Sequence, residues 1–383
     1  MIALALIAFA ADPVFWQRYF TLPLRHMVTA TDWYTPKATV TGAPGSSEPD
    51  FAVAGSGASG IRPDAIARAL AYAKARQTVA LLVYHSGVLG LEYYAPGFSA
   101  ASLTDSQSMH KSVLGLLVGI AIGEGSIHSV EDPIGRYLPE WSADPRGAIR
   151  VRELLQMSSG LAQASQSLNP FSSGVQLLLS SERLPKLLRT PLTSVPGRDF
   201  DYNPVDSELL GAVLESATHR SYADYLSERL WRPLGARDAY VWLDHAGGLA
   251  HTACCLQATA RDWLRLGLLV MHRGFVGNRT VVPAAWLTAM LAPSAENPNY
   301  GYQVWLGRSF MPVRHYTSSS SFTSRQSEPF AAPDVVYFDG SGGQRVYIVP
   351  SRDLVIVRTG EATRDWDDAF LPNIIIRGIG AAT

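Results

Sequence analysis

Apolar and polar positions change their period several times along this chain, and each change predicts an element. Residues 62–76, "RPDAIARALAYAKAR", put their apolar side chains on one helical face, with Pro63 in the first turn. "TVALLVYH" and "VLGLEYY" are dense in β-branched, apolar and aromatic residues on either side of Ser86-Gly87, which predicts a hairpin with a two-residue turn. From about Ser108 to Ile122 the apolar positions (Met109, Val113, Leu114, Leu116, Leu117, Val118, Ile120, Ala121, Ile122) cover nearly every side of a helix, so that helix should be buried. Helical periods recur around 150–157, 174–189, 205–217 and 221–230. A second strand pair, "QRVYIVP" and "LVIVRTG" around the turn "SRD", comes near the end. A last helix near 364–378 should be broken at Pro372. Hairpins at both ends thus bracket a helical middle. This is an α+β layout: an antiparallel sheet completed by the N- and C-terminal segments and flanked by their helices, with an inserted all-helical lobe.

The first sixty residues lack such periods. Residues 1–20 read as an apolar leader; "MIALALIAFAADP" carries an Ala8-Phe9-Ala10 cleavage-like signature but no positive n-region, and it is too short to span a bilayer. Export or membrane attachment and a packed N-terminal segment both fit it; a periplasmic or membrane-associated location is the expectation, with the cytoplasm as the alternative. Residues 21–61, rich in Pro, Gly, Ser and Thr, read as an extended linker. "GSGASG" at 55–60 matches GxGxxG, but Pro63 starts the next helix late and the strand after it ends at His85 with no acid, so a linker fits better than a dinucleotide site. The remainder, 62–383, is expected to be one domain, with an α/β lobe of about 62–105 and 245–383 and a helical lobe of about 106–244. "SSSSFTSRQSEPFAAP", 318–333, reads as a polar surface loop, and no internal repeat is visible.

Composition narrows the function. With 47% hydrophobic and 17% charged residues the chain can bury a sizeable core, and a net charge of -1 gives no pull toward nucleic acid. Cys254 and Cys255 are neighbours; a bond between adjacent cysteines is strained and neither has another partner, so no disulfide framework is expected. Flanked by Ala and Leu, they read as small buried hydrophobes. No HExxH or paired CxxC occurs, and His245 and His251 share only a Gly-rich loop, so no metal and no cofactor is expected. The cluster Asp365, Asp367 and Asp368 reads as a helix cap.

The basic residues change the picture most. There are 28 Arg against four Lys (Lys37, Lys74, Lys111, Lys186), and Lys111 opens the buried helix. Helical residues three apart lie about 60° apart around the axis, so Ser108 and Lys111 face the same way, while His110 is about 200° from Ser108. The helix N-terminus favours a developing alkoxide on Ser108. Lys111 can act as its base only if the amine is largely neutral, which from an ordinary value near ~10.4 costs about 4 kcal/mol at pH 7; burial can supply that. A lysine snorkelling to the edge of a core helix is the plainer alternative. Further on, Tyr202 follows a Pro-Gly turn just before an amphipathic helix, and Gly340 to Gly343 form a Gly-rich turn at the lip of a strand. No GxSxG elbow occurs.

Taken together these motifs resemble the serine hydrolases of the class C β-lactamase and penicillin-binding-protein group, in the branch of 6-aminohexanoate-dimer hydrolase and related esterases, over roughly residues 62–380. Ser108-Met109-His110-Lys111 matches the SxxK motif. Leu154-Leu155-Gln156-Met157-Ser158-Ser159-Gly160 matches the following "LLxMSSG", Tyr202 the tyrosine, and Trp231-Arg232-Pro233-Leu234-Gly235 and "CCLQATARDWLRLGLL" further stretches. Two motifs depart. Tyr-x-Asn reads Tyr202-Asn203-Pro204, and the Lys-Thr-Gly or His-Thr-Gly strand reads Phe338-Asp339-Gly340, which removes the cation that anchors a substrate carboxylate. The resemblance implies Ser108 as nucleophile, Lys111 as its base, Tyr202 as proton shuttle, and the N–H groups of Ser108 and Ser341 as oxyanion hole. Asn203, Phe338, Asp339, Gly340 and Gly342 would contact substrate. Arg345, two residues past Gly343, could turn toward the site by strand alternation. The expected activity is hydrolysis of small esters or linear amides through an acyl-enzyme. A β-lactamase or D,D-peptidase is the alternative, and a non-catalytic binding protein of the same fold is a third reading, against which the intact Ser108, Lys111 and Tyr202 count.

Overall fold

The computed structural model describes residues 11–45, 51, 59–165, 167–317, 323–363 and 365–380. Its centre is a six-stranded antiparallel sheet in the order Val88–Tyr94, Thr78–His85, Leu354–Gly360, Gln344–Val349, Val336–Gly340, Trp305–Leu306. The first hairpin turns at Ser86 and Gly87, both at positive φ (49° and 88°), as a tight two-residue turn requires. Leu82, Val357, Val346 and Phe338 lie across from one another in register and pack into one core with the buried helix His110–Gly123 and the helix Ala260–Met271. Leu81, Ile356 and Tyr347 pack into another on the opposite face, under Pro63–Lys74 and Phe370–Gly378. Both faces are covered, so the central strands read as continuous apolar runs instead of alternating ones.

The helical part carries Val151–Leu155, Ser173–Leu179, Pro204–Thr218 and Tyr222–Leu226. Pro372 does not break the last helix. It stands in the first turn of Phe370–Gly378, where its missing N–H has no partner to lose.

The N-terminal segment differs from the expected linker. Pro13–Thr21 is a helix capped by Asp12, whose Oδ1 accepts from Phe15 N at 2.9 Å. Lys37–Val40 is a strand antiparallel to Ala239–Trp242, in a second sheet with Leu256–Thr259 and Leu103–Asp105. The buried Arg18 guanidinium donates to the carbonyls of Thr35, Leu179 and Asp244, and Tyr34 stacks on Trp242 at 4.1 Å between centroids. Single aromatic anchors and backbone carbonyls hold this segment, and such contacts leave no period in the sequence. Residues 1–10 and most of "GSGASG" lie outside the described residues. Among the described residues no helix is long and apolar enough to cross a membrane.

The polar stretch 318–333 is likewise more than a surface loop: Thr323–Arg325 pairs antiparallel with Val313–His315, while 318–322 lie outside the described residues.

Two glycines let the buried helix approach its neighbours. A Cβ at Gly119 would lie 2.1 Å from the Trp286 ring, whose Nε1 donates to Gly115 O at 3.0 Å. Gly119→Ala should therefore destabilise the protein by about 1–3 kcal/mol through overpacking, read from urea unfolding. An unchanged midpoint would mean that Trp286 can move aside at no cost.

Candidate active site

The site is built at the start of the buried helix. A 3-10 turn, Gln107–Met109, runs directly into His110–Gly123, and Asp105 Oδ1 accepts from Gln107 N at 2.8 Å to fix the turn. Ser108 sits in this turn, half-buried, and Lys111 follows one turn later with 2% of its surface exposed. Lys111 Nζ donates to Ser108 Oγ at 3.0 Å and to the carbonyl of Ala253. Among the described residues it forms no ion pair. Burial lowers the amine to about 8, outweighing the carboxylates of Glu208 and Asp339, which pull it upward. At pH 7 about a tenth of the amine is then neutral, where an ordinary lysine would be almost wholly charged.

Tyr202 completes the cluster. Its hydroxyl lies beside Ser108, and Lys111 Nζ stands 5.1 Å from its ring centroid. Burial, and then the Asp339 carboxylate, push the phenol upward, so it stays protonated when the lysine is not. Of the two groups, the amine is the one able to take up a proton near neutral pH, while the phenol keeps its own. His110 is excluded by geometry: Nδ1 bonds Cys254 O at 2.6 Å, Nε2 bonds Tyr222 OH at 2.8 Å, and burial lowers the ring to about 4.

Tyr202 is positioned by residues that carry no sequence signal. Its N–H donates to Tyr316 O at 3.2 Å, its carbonyl accepts from Gln163 Nε2 at 3.1 Å, and the rings of Tyr316 and Trp305 lie 5.4 and 5.7 Å away. Asn203, expected on the substrate, is a helix cap instead. Its Oδ1 accepts from Val205 N at 3.1 Å and its Nδ2 donates to Leu161 O and Ala162 O, which leaves its amide committed.

Strand alternation divides the departed strand motif. Phe338 is fully buried in the core beneath the sheet and forms no wall of the site, a correction to the expectation. Asp339 faces the other way and accepts from Tyr316 OH at 2.7 Å. It closes a buried ring of two aspartates and two arginines. Arg314 bridges Asp339 and Asp368, each at 2.8 Å, and Arg345 bridges the same two carboxylates from the other side. Arg345 is thus a member of a neutral network, not a loose cation. The Arg345 and Arg314 guanidiniums hold Asp368 down at about 2 against its burial. The expected cap therefore splits: Asp367 Oδ1 accepts from Ala369 N at 3.0 Å, Asp365 pairs with Arg76 at 2.7 Å, and Asp368 belongs to the ring.

Gly340 brings the strand end onto the segment leading into the Gln107–Met109 turn, since a Cβ there would lie 2.5 Å from Ser106 O. Ser341 follows at the exposed tip. Gly342, at φ 78°, packs against Ala362, where a Cβ would lie 2.8 Å from its Cα, so the turn itself accounts for this glycine. Gln344 pins the turn by donating to Ser341 O and Gly360 O and accepting from Gly360 N.

Cys254 and Cys255, expected as free small hydrophobes, are joined in a disulfide between neighbours. With His251 they form, among the described residues, a cluster whose donor atoms lie within 4.8 Å of one another, but the sulfurs bond each other.

A two-sided sheet beside a helical lobe, with a serine and a buried lysine one helical turn apart at their junction, defines a hydrolase of the β-lactamase fold. The chain belongs to the family described as Beta-lactamase, which it matches over residues 63–369. It is 26% identical over 328 residues to the 6-aminohexanoate-dimer hydrolase of Paenarthrobacter ureafaciens, covering 80% of each chain. A solved family VIII carboxylesterase superposes with a TM-score of 0.60 at 14% identity, covering 82% of this chain and 96% of that one. The penicillin binding protein of Bacillus halodurans gives 0.59 at 15%, covering 82% and 100%. At such identities these likenesses concern the fold.

Two outcomes follow from the lysine. With Lys111 as the base, the kcat/KM for a neutral ester should rise with pH through a limb near 8, because an amine takes up a proton only when unprotonated; a flat profile from pH 6 to 9 would contradict this. Since the folded value lies below the ordinary 10.5, the unfolded state binds more protons between about 8 and 10.5, and stability from this group rises with pH across that window. Below it the full penalty, roughly 3 kcal/mol, applies. Lys111→Met should therefore gain stability near pH 7 and lose that advantage toward pH 10.5, as followed by urea unfolding at several pH values. A uniform loss at every pH would contradict the penalty.

Proposed function

We propose that the protein is a serine hydrolase that cleaves small neutral esters or linear amides through an acyl-enzyme on Ser108. The observation that carries this is the Lys111 amine, 3.0 Å from Ser108 Oγ and, among the described residues, in no ion pair. Ser108 Oγ attacks the substrate carbonyl and Lys111 takes its proton. The N–H groups of Ser108 and Ser341 are the candidate donors to the oxyanion, each such donor being worth about 2.7–4 kcal/mol in a transition state. Tyr202 passes a proton to the leaving group, and the ester on Ser108 is then hydrolysed by a water that gives its proton back through the same pair.

The charge ring supports the choice of substrate. A substrate carboxylate has no cation at Phe338, and Arg314 and Arg345 are both committed to Asp339 and Asp368. Displacing either would leave a buried carboxylate unpaired, which is costly. A relative named for the 6-aminohexanoate dimer supports hydrolysis of linear amides, and a fold neighbour named a carboxylesterase supports hydrolysis of esters.

Ser108→Ala should abolish turnover with the fold intact, and a serine-reactive phosphonate should label Ser108; labelling of a different serine would sink the assignment. On one preparation, a short p-nitrophenyl ester should have a higher specificity constant than a penicillin. A penicillin that is the better substrate would mean that one of the arginines leaves the ring to hold its carboxylate.

A further inference from the structure

The segment 253–256 meets the start of the buried helix and the residues leading into it at three residues, Ala253, Cys254 and Leu256. Ala253 O accepts from Lys111 Nζ, and Cys254 O bonds His110 Nδ1 at 2.6 Å. Leu256 exchanges two bonds with Ser106: its N–H donates to Ser106 Oγ at 3.1 Å, and its carbonyl accepts from Ser106 N at 3.0 Å. The disulfide lies in the middle of these contacts. It closes a small ring through the single peptide between Cys254 and Cys255, and Cys255 is held at φ 77°. That conformation is costly for a residue with a side chain and persists where the surroundings over-determine it. Cys255 is buried against Phe15, Tyr34 and Trp242, whereas Cys254 is only half-buried and can be reached by a small thiol.

We propose that the Cys254–Cys255 disulfide is a positioning element for Lys111, holding the Ala253 carbonyl on the amine, and that a dithiol reductant which opens it slows acylation of Ser108. The inference rests on the reading of Lys111 as base. A carbonyl that accepts one N–H of the amine turns its lone pair toward the serine. When the ring opens, the two sulfurs separate to non-bonded distance, Cys255 is free to leave its left-handed conformation, and the neighbouring peptides turn with it. Reduction is a two-electron exchange. The thiolate of the dithiol attacks Cys254 Sγ, and the S–S bond breaks with its electron pair on Cys255. The second thiol of the reagent then releases Cys254 and leaves as a cyclic disulfide. Two protons from the reagent end on the cysteines.

The test uses the full chain and dithiothreitol. Thiols are counted before and after reduction of the folded enzyme, and kcat and KM for a short neutral ester are measured in both states. Two thiols should appear only after reduction. kcat should then fall at least about tenfold, a part of the roughly 100- to 10,000-fold that a positioned base supplies, with KM within about twofold. Reoxidation should restore the rate. Cys254→Ser with Cys255→Ser should sit at the reduced level and ignore dithiothreitol. Thiols that titrate before reduction, or a kcat unchanged by complete reduction, would overturn the proposal. Lys111→Ala separates the two readings: if it keeps turnover, the base assignment fails, and if it is inactive while reduction has no effect, only the disulfide's role fails.

Discussion

A primary amine taken out of water without a carboxylate beside it is the constraint on which the rest of this molecule depends. Among the described residues the hydrogen-bond partners of Lys111 are a hydroxyl and a carbonyl, within a helix that is apolar on nearly every side. Desolvation is then the dominant force on its proton, and a residue that would be inert as a base becomes a usable one. The cost is borne by the fold. The sheet is covered on both faces, the helix lies close enough to Trp286 to need glycine, and the resulting core absorbs the penalty of a group that would be more stable in solvent.

Charge elsewhere is arranged so as not to undo this. Asp339 and Asp368 lie near the site, yet each is shared between Arg314 and Arg345 in a ring with no net charge. Had Asp339 been unpaired, its field would have raised the amine and the phenol more strongly. Tyr316 ties the ring to the site, with its hydroxyl on Asp339 and its carbonyl on the Tyr202 N–H. The polar network thus orients the phenol, while burial around the lysine weakens its hold on a proton.

Much of this was legible because it depends on periodicity. The all-apolar helix, the two hairpins and the spacing from Ser108 to Lys111 are local patterns, and burial follows from them. Phe338 and Asp339 could not be assigned to a face without the register of their strand, and that register is set by partners at 344–346. Asn203 was read by its place in a motif, whereas one Pro after it makes it a cap. Ala253 acts through its backbone and leaves no trace in its identity. Arg314 and Tyr316 come from a short hairpin beside residues that read as surface loop, and only the fold carries them to Asp339. The N-terminal strand was hidden for a related reason: an edge strand of four residues held by single aromatic contacts is too short to show a period.

The scarcity of lysine makes the central claim directly observable. With four lysines in the chain, protein carrying isotope-labelled lysine side chains should give four ammonium-adjacent resonances in a pH titration. The account predicts that one of them titrates near 8 and disappears in Lys111→Arg. Four resonances that all titrate near the ordinary value of about 10.4 would show a charged Lys111 at neutral pH and would contradict it.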